Sequence, residues 1–85
     1  MKKLRTKIDQ LDQNLLKLLA KRKKVVLEIC KFKREQGLEL EDKKREREML
    51  VKRKEVAQDL GLNEGFIEEL FQLIIKESKR IQFRR

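Results

Sequence analysis

One stripe of apolar residues, running from the start of the chain to Gly37, constrains the fold more than any other feature. Its members are Leu4, Ile8, Leu11, Leu15, Leu18, Val25, Ile29 and Phe32. Steps that alternate between four and three residues place all of these side chains on one face of an α-helix. Because no Gly or Pro interrupts the pattern before Gly37, a single long helix is predicted over residues 3–36.

Two shorter helices are predicted after this one, over residues 42–60 and 64–84. Asp42 and Asn63 are suitable N-caps, and Gly61 is suitable as the stop between the two helices. The chain of 85 residues has no proline and only three glycines, and 46% of its residues are charged, a composition typical of long helices. The predicted fold class is therefore all-α, with three helices in one domain over residues 1–85.

The length of the first helix predicts a second copy of the chain. About 33 residues make a helix of roughly 50 Å, and each of the other two helices is shorter by more than a third. They cannot cover an apolar stripe that extends from Leu4 to Phe32. We therefore expect an intertwined homodimer in which two long helices pair antiparallel about a twofold axis.

Each predicted helix also carries polar residues on its apolar face. They are Arg22 in the first helix, Arg45, Glu46 and Arg53 in the second, and Ser78 and Gln82 in the third. Any one has an ordinary structural explanation, since a serine on a core face often bonds to the backbone one turn earlier. Polar residues on the apolar faces of all three helices indicate instead a bound polar ligand that satisfies their hydrogen-bonding groups together.

Composition narrows the class of ligand and the chemistry. The net charge of +9 favours anionic partners, including small dianions. Histidine is absent and Cys30 is the single cysteine, which argues against zinc sites, catalytic triads and histidine proton relays. Cys30 is expected to be a buried thiol. Since no apolar run is long enough to span a membrane, we expect a soluble, cytoplasmic protein without a membrane partner.

Five stretches, taken in order and with their spacing, resemble the all-helical chorismate mutases, whose chains have three helices and dimerise through a long first helix. The resemblance covers Leu4 to Gln82. The stretches are Leu4-Arg5-x-Lys7-Ile8-x-x-Leu11-Asp12, Leu19-Ala20-x-Arg22, Lys33, Asp42-x-x-Arg45-Glu46-Arg47 and Leu70-Phe71-Gln72-Leu73-Ile74-Ile75-x-x-Ser78-x-x-x-Gln82. The resemblance implies rearrangement of chorismate to prephenate, towards phenylalanine and tyrosine, without metal or cofactor.

The resemblance also implies roles for residues of the first helix. Arg5 matches an arginine that reaches into the partner subunit's active site. Arg22 matches an arginine that clamps a substrate carboxylate, and Lys33 matches a lysine that contacts the breaking ether oxygen and a carboxylate. Arg5 and Lys33 are 28 positions apart, or about 42 Å along a helix, so one chain cannot hold a small molecule with both. Two sites shared between two chains are expected.

The other implied site residues belong to the second and third helices. Asp42, Arg45 and Glu46 match a cluster whose acidic residue binds the ring hydroxyl of the substrate. Ser78 and Gln82 match positions that bind the ring carboxylate and the ether oxygen. Some members of the family have an arginine just before Asp42, whereas this chain has Glu41, so an additional positive contact there is not expected.

Two alternative functions remain open from the sequence. A lyase of the same fold, which eliminates pyruvate from isochorismate, uses related cations, although Gln82 and the Arg45–Glu46 pair favour the mutase. A basic helical module that binds nucleic acid is suggested by the charge and by the run Lys21–Lys24, but the chain has no recognised nucleic-acid motif and no Tyr or Trp for base stacking. A purely structural coiled coil leaves Arg22, Ser78 and Gln82 unexplained.

Overall fold

The computed structural model describes residues 1–83, which form three α-helices: α1 (Lys2–Glu35), α2 (Lys43–Asp59) and α3 (Glu64–Phe83). No strand is present within this range. The predicted all-α class with three helices is confirmed. The predicted end of the third helix, at residue 84, lies outside the described residues.

Glycine ends both α1 and α2 by the same local mechanism. Gly37 adopts φ +68° and Gly61 adopts φ +71°, a left-handed conformation that glycine reaches without steric cost. At the end of α1, the Leu38 N–H donates to the Lys33 carbonyl over 2.8 Å, and the Gly37 N–H donates to the Arg34 carbonyl over 3.2 Å. The equivalent pair of bonds follows α2, so the two stops predicted from the sequence are confirmed.

Side-chain caps start the other two helices as predicted. Asp42 Oδ1 accepts a hydrogen bond of 3.0 Å from the backbone N–H of Arg45 at the start of α2. Asn63 Oδ1 accepts one of 2.8 Å from the backbone N–H of Phe66 at the start of α3. Each cap satisfies an N–H that the first turn of a helix leaves without an intrahelical partner.

Helix α3 packs against both of the other helices, which places it between α1 and α2. The described chain is elongated, with extents of 53 × 25 × 16 Å, because α1 continues well past its neighbours. The buried apolar residues are Val26 and Cys30 in α1, Ala57 in α2 and Ile67 in α3. Cys30 is a free, buried thiol, as predicted. The core within one chain is therefore small.

The amino-terminal half of α1 carries an apolar face that no part of its own chain covers. Leu4, Ile8, Leu11, Leu15 and Leu18 are each between 57% and 59% exposed. Further along α1, the side chains turned towards α3 are Val26 and Cys30, while Val25, Ile29 and Phe32 remain exposed. The predicted stripe is thus largely open in the isolated chain. None of the helices over residues 1–83 contains an apolar stretch of the length that a membrane span requires.

Candidate active site

A cavity of about 320 Å³ lies where the three helices and the segment before α2 meet. Among its lining residues are seven of the eight residues predicted to bind substrate: Arg22, Lys33, Asp42, Arg45, Glu46, Ser78 and Gln82. The eighth, Arg5, is exposed near the start of α1 and does not line the cavity. A single chain therefore does not bring Arg5 to this cavity.

The lining combines apolar side chains with a surplus of positive charge. The apolar residues are Val25, Val26, Ile29, Leu40, Met49 and Ile75. The cations are Arg22, Lys33, Arg45, Arg53 and Lys79, against the two carboxylates of Asp42 and Glu46, which leaves an excess of three positive charges. A cavity of this character suits a small hydrocarbon framework that carries more than one carboxylate.

Arg22 of α1 is joined to α3 by a hydrogen bond. Its Nη1 donates to Ser78 Oγ, and the Ser78 hydroxyl in turn donates to the Ile74 carbonyl over 2.9 Å. Burial lowers the pKa of the Arg22 guanidinium, and the positive charge of Arg53 lowers it further. No ion pair within residues 1–83 involves Arg22. Two guanidinium groups close together without a carboxylate favour the binding of an anion.

Arg53 and Lys79 line the cavity but were not among the site residues predicted from the sequence. Arg53 lies on the apolar side of α2, and its guanidinium carbon is 5.7 Å from the centroid of the Phe71 ring, within the range of a cation–π contact. A charged residue on an apolar face was the signal that singled out Arg22, and the same signal applies to Arg53. Lys79 follows Ser78 at the edge of the α3 stripe, where the sequence gives no comparable indication.

Lys33 is held at the cavity by the segment that leads into α2. Its Nζ donates to the Leu40 carbonyl over 3.2 Å. An ammonium group has three N–H donors, so two remain for a ligand. The Asp42 cap fixes the start of α2 only two residues after Leu40. The position of Lys33 is therefore coupled to the local structure that orients Arg45 and Glu46.

The backbone of Gln82 is anchored to α1. Its carbonyl accepts a hydrogen bond of 2.7 Å from Arg34 Nη2 and a weaker contact of 3.6 Å from Cys30 Sγ. Carbonyls in the last turn of a helix have no intrahelical donor, and here side chains of α1 supply donors. This anchoring holds the carboxyl end of α3 against α1, where Gln82 lines the cavity.

A chain of three charged residues links the cavity to the segment before α2. Lys79 Nζ lies 3.0 Å from Glu41 Oε1 and 3.1 Å from Glu46 Oε1. The hydrogen bond from Lys79 holds the pKa of Glu41 below its ordinary value, and Glu41, followed by Glu46, raises the pKa of Lys79. Glu41 thus shares the Lys79 ammonium with Glu46.

The fold and the cavity together define a small all-helical protein with a cationic cavity where its three helices meet. The family model described as chorismate mutase type II matches residues 4–83, and the chain belongs to this family. The family predicted from the sequence is confirmed.

Two longer proteins are similar to most of this chain. The chain is 42% identical over 74 residues to the bifunctional chorismate mutase/prephenate dehydratase of Buchnera aphidicola subsp. Schizaphis graminum, a match that covers 87% of this chain and 19% of that protein. It is 39% identical over 75 residues to the T-protein of Enterobacter agglomerans, with 88% and 20% covered. The chain thus spans about a fifth of the length of these two relatives.

A shorter relative matches along most of its own length. The chain is 27% identical over 79 residues to the chorismate mutase of Methanocaldococcus jannaschii, a match that covers 93% of this chain and 80% of that protein. No solved structure matches the chain.

Proposed function

We propose that this chain rearranges chorismate to prephenate, a step towards phenylalanine and tyrosine, and that it does so without metal or cofactor. The observation that carries the proposal is the cavity, which gathers residues of all three helices around an excess of three positive charges. Chorismate has two carboxylates, a ring hydroxyl and an ether oxygen, and the cavity offers cations, a carboxylate and an amide for these groups. A cytoplasmic location is part of the proposal, and the free thiol of Cys30 is compatible with it.

Binding would first select the reactive shape of the substrate. The reaction breaks a C–O bond while a C–C bond forms within the same molecule, so it needs no external nucleophile. Arg22, oriented by Ser78, would grip one carboxylate, and the partner's Arg5 would grip the other. Two fixed carboxylates hold the side chain of chorismate over its ring, which removes much of the entropic part of the barrier.

The remaining polar residues would stabilise the transition state and orient the ring. Negative charge grows on the ether oxygen as the C–O bond breaks, and Lys33 and Gln82 would donate hydrogen bonds to it. Hydrogen-bond donors that are already oriented towards the charge that develops in the transition state usually make the largest electrostatic contribution to lowering the barrier. Glu46 would accept from the ring hydroxyl, and Asp42 and Arg45 would orient the surrounding groups.

The proposal includes a homodimer with two shared sites. The open apolar face of α1 and the small core of one chain both favour a second copy as the missing cover. In an antiparallel pair of α1 helices, the partner's Arg5 would approach the half of α1 that carries Lys33. This arrangement would complete a cavity to which a single chain contributes seven of the eight predicted residues.

Thermal stability should depend on protein concentration, because the chain of the proposed homodimer folds and associates in one process. A tenfold dilution should lower the Tm by about 3–5 °C, the effect expected when dissociation accompanies unfolding. Circular dichroism melts over a hundredfold range of concentration, with sedimentation analysis at each end, would measure this. A compact and active monomer at the lowest concentration would contradict the homodimer.

The direct test of the activity is a spectrophotometric assay of chorismate consumption by the purified chain, with prephenate identified as the product. Isochorismate, with pyruvate as the measured product, serves as the alternative substrate for the lyase. Turnover of chorismate alone would support the mutase. Turnover of isochorismate alone, or salt-sensitive binding to random duplex DNA without either activity, would refute it.

A further inference from the structure

Lys79 occupies a wall shared by two cavities. Glu46, Ile75 and Lys79 line the proposed active site and also a second cavity of about 270 Å³ between α2 and α3. In this wall the Lys79 ammonium bridges Glu46 of α2 and Glu41 of the segment before α2, at 3.1 and 3.0 Å. Lys79 therefore connects the active-site carboxylate to a residue outside the active-site lining.

The bridge has more influence on orientation than on stability. A single exposed ion pair contributes little to stability, since the side chains lose entropy and water screens the charges. Here one ammonium holds two carboxylates from different segments, and the Glu46 side chain is only 24% exposed. Among residues 1–83, none of the other cations that line the cavity forms an ion pair with Glu46. Lys79 thus selects one orientation of a flexible side chain.

The same bridge leaves Glu46 able to bind a hydroxyl. The ion pair joins Lys79 to Oε1, and a carboxylate has a second oxygen that can accept a further hydrogen bond. Glu41 offsets part of the charge that Lys79 brings to an already cationic cavity. Glu41 also restrains the ammonium without taking a place in the cavity, because Glu41 itself is not among the lining residues.

We propose that Lys79 is a positioning residue that orients Glu46 towards the ring hydroxyl of the substrate, and that Glu41 holds Lys79 in this position. The inference rests on the proposed mutase function. It assigns recognition of the hydroxyl to a chain of three residues, of which only Glu46 touches the substrate.

The test compares chorismate with an analogue in which hydrogen replaces the ring hydroxyl. In Lys79→Met, kcat/KM for chorismate should fall roughly five- to tenfold, mainly through KM, because Glu46 loses its preferred orientation. For the analogue, kcat/KM should change by less than about twofold, since Glu46 has no hydroxyl to bind. A merely structural loss would affect both compounds alike.

Three variants complete the test. Lys54→Met is the matched control, because Lys54 also joins α2 to α3, through an ion pair with Glu68 at 3.4 Å, and does not line the cavity. It should leave the preference for chorismate unchanged. Lys79→Arg should retain most of the preference, since arginine can pair with both carboxylates. Glu41→Gln should reduce the preference by a smaller factor than Lys79→Met, with the fold unaffected.

Each outcome supports or overturns the inference. An equal loss for both compounds in Lys79→Met would mean that Lys79 acts through the fold or as a direct ligand of a carboxylate, and either result would overturn the inference. So would Lys79→Met and Glu41→Gln variants that behave like Lys54→Met. A parent protein that does not consume chorismate would refute the proposed function and this inference together, whereas an active parent with either of the first two results would refute the inference alone.

Discussion

Arg5→Ala and Lys33→Ala should each be nearly inactive, and a mixture of the two variants should recover activity. Each change removes a cation that binds substrate, for which a loss of about 10²–10³ in rate is typical of a key electrostatic contact. In a mixed dimer, one site takes Arg5 from one chain and Lys33 from the other and carries neither mutation. Random exchange makes half of the dimers mixed, so roughly a quarter of the parent activity should return.

A second mixture provides the matched control. Arg22 and Lys33 line the cavity of the same chain. In a mixed dimer of Arg22→Ala and Lys33→Ala, each site therefore carries one of the two mutations, and no activity should return. Chorismate consumption after subunit exchange measures both mixtures. Recovery in both, or in neither, would show that the partner does not supply Arg5 as proposed.

Gln82→Leu should lower kcat by at least about tenfold while the dimer remains intact. The amide is proposed to donate to the ether oxygen as negative charge develops, and leucine cannot donate. If Gln82 only packed against its neighbours, its replacement by leucine would be neutral or stabilising. The change would remove an amide whose desolvation costs free energy and whose hydrogen bonds would not be needed. The backbone anchor from Arg34 to the Gln82 carbonyl does not depend on the side chain, so α3 should keep its position.

Gln82→Glu adds a pH dependence that tests the same role. A carboxyl group donates a hydrogen bond only when it is protonated, so the activity of this variant should rise as pH falls through the pKa of the introduced carboxyl. The parent, with a neutral amide, should show no acid requirement from this position. Gln72→Glu serves as the charge control, because Gln72 is on the same helix and does not line the active-site cavity.

Unchanged kcat in Gln82→Leu would remove Gln82 from the mechanism. A pH profile of Gln82→Glu that matches the parent or the Gln72→Glu control would do the same. Either result would weaken the assignment of roles to the other residues of the family pattern.

Helix ends were predictable because the interactions that make them are local. Asp42 and Asn63 each accept from the backbone N–H three residues later, and Gly37 and Gly61 permit bonds that span at most five residues. Residue types at neighbouring positions contain all of this information.

The sequence predicted only some of the residues that line the cavity. Periodicity places Arg22, Ser78 and Gln82 on faces that should be apolar, and the structure brings all three to one cavity. Lys79 lies at the edge of its stripe, and its partner Glu41 is 38 positions away, so no local pattern links the two. Arg34 and Gln82, 48 positions apart, are a second example.

The sequence alone determines three helices with polar residues on their apolar faces, glycine stops after the first two and side-chain caps before the last two, because helix periodicity and capping depend on residues a few positions apart. Only the tertiary structure decided which side of α1 packs within the chain: Val26 and Cys30 face α3, and the stripe from Leu4 to Leu18 stays open. Neighbouring side chains on a helix differ by 100° in direction, so a broad apolar face can receive α3 at more than one angle. The packing of α3 fixes one of these angles, and it thereby places Lys79 beside Glu46.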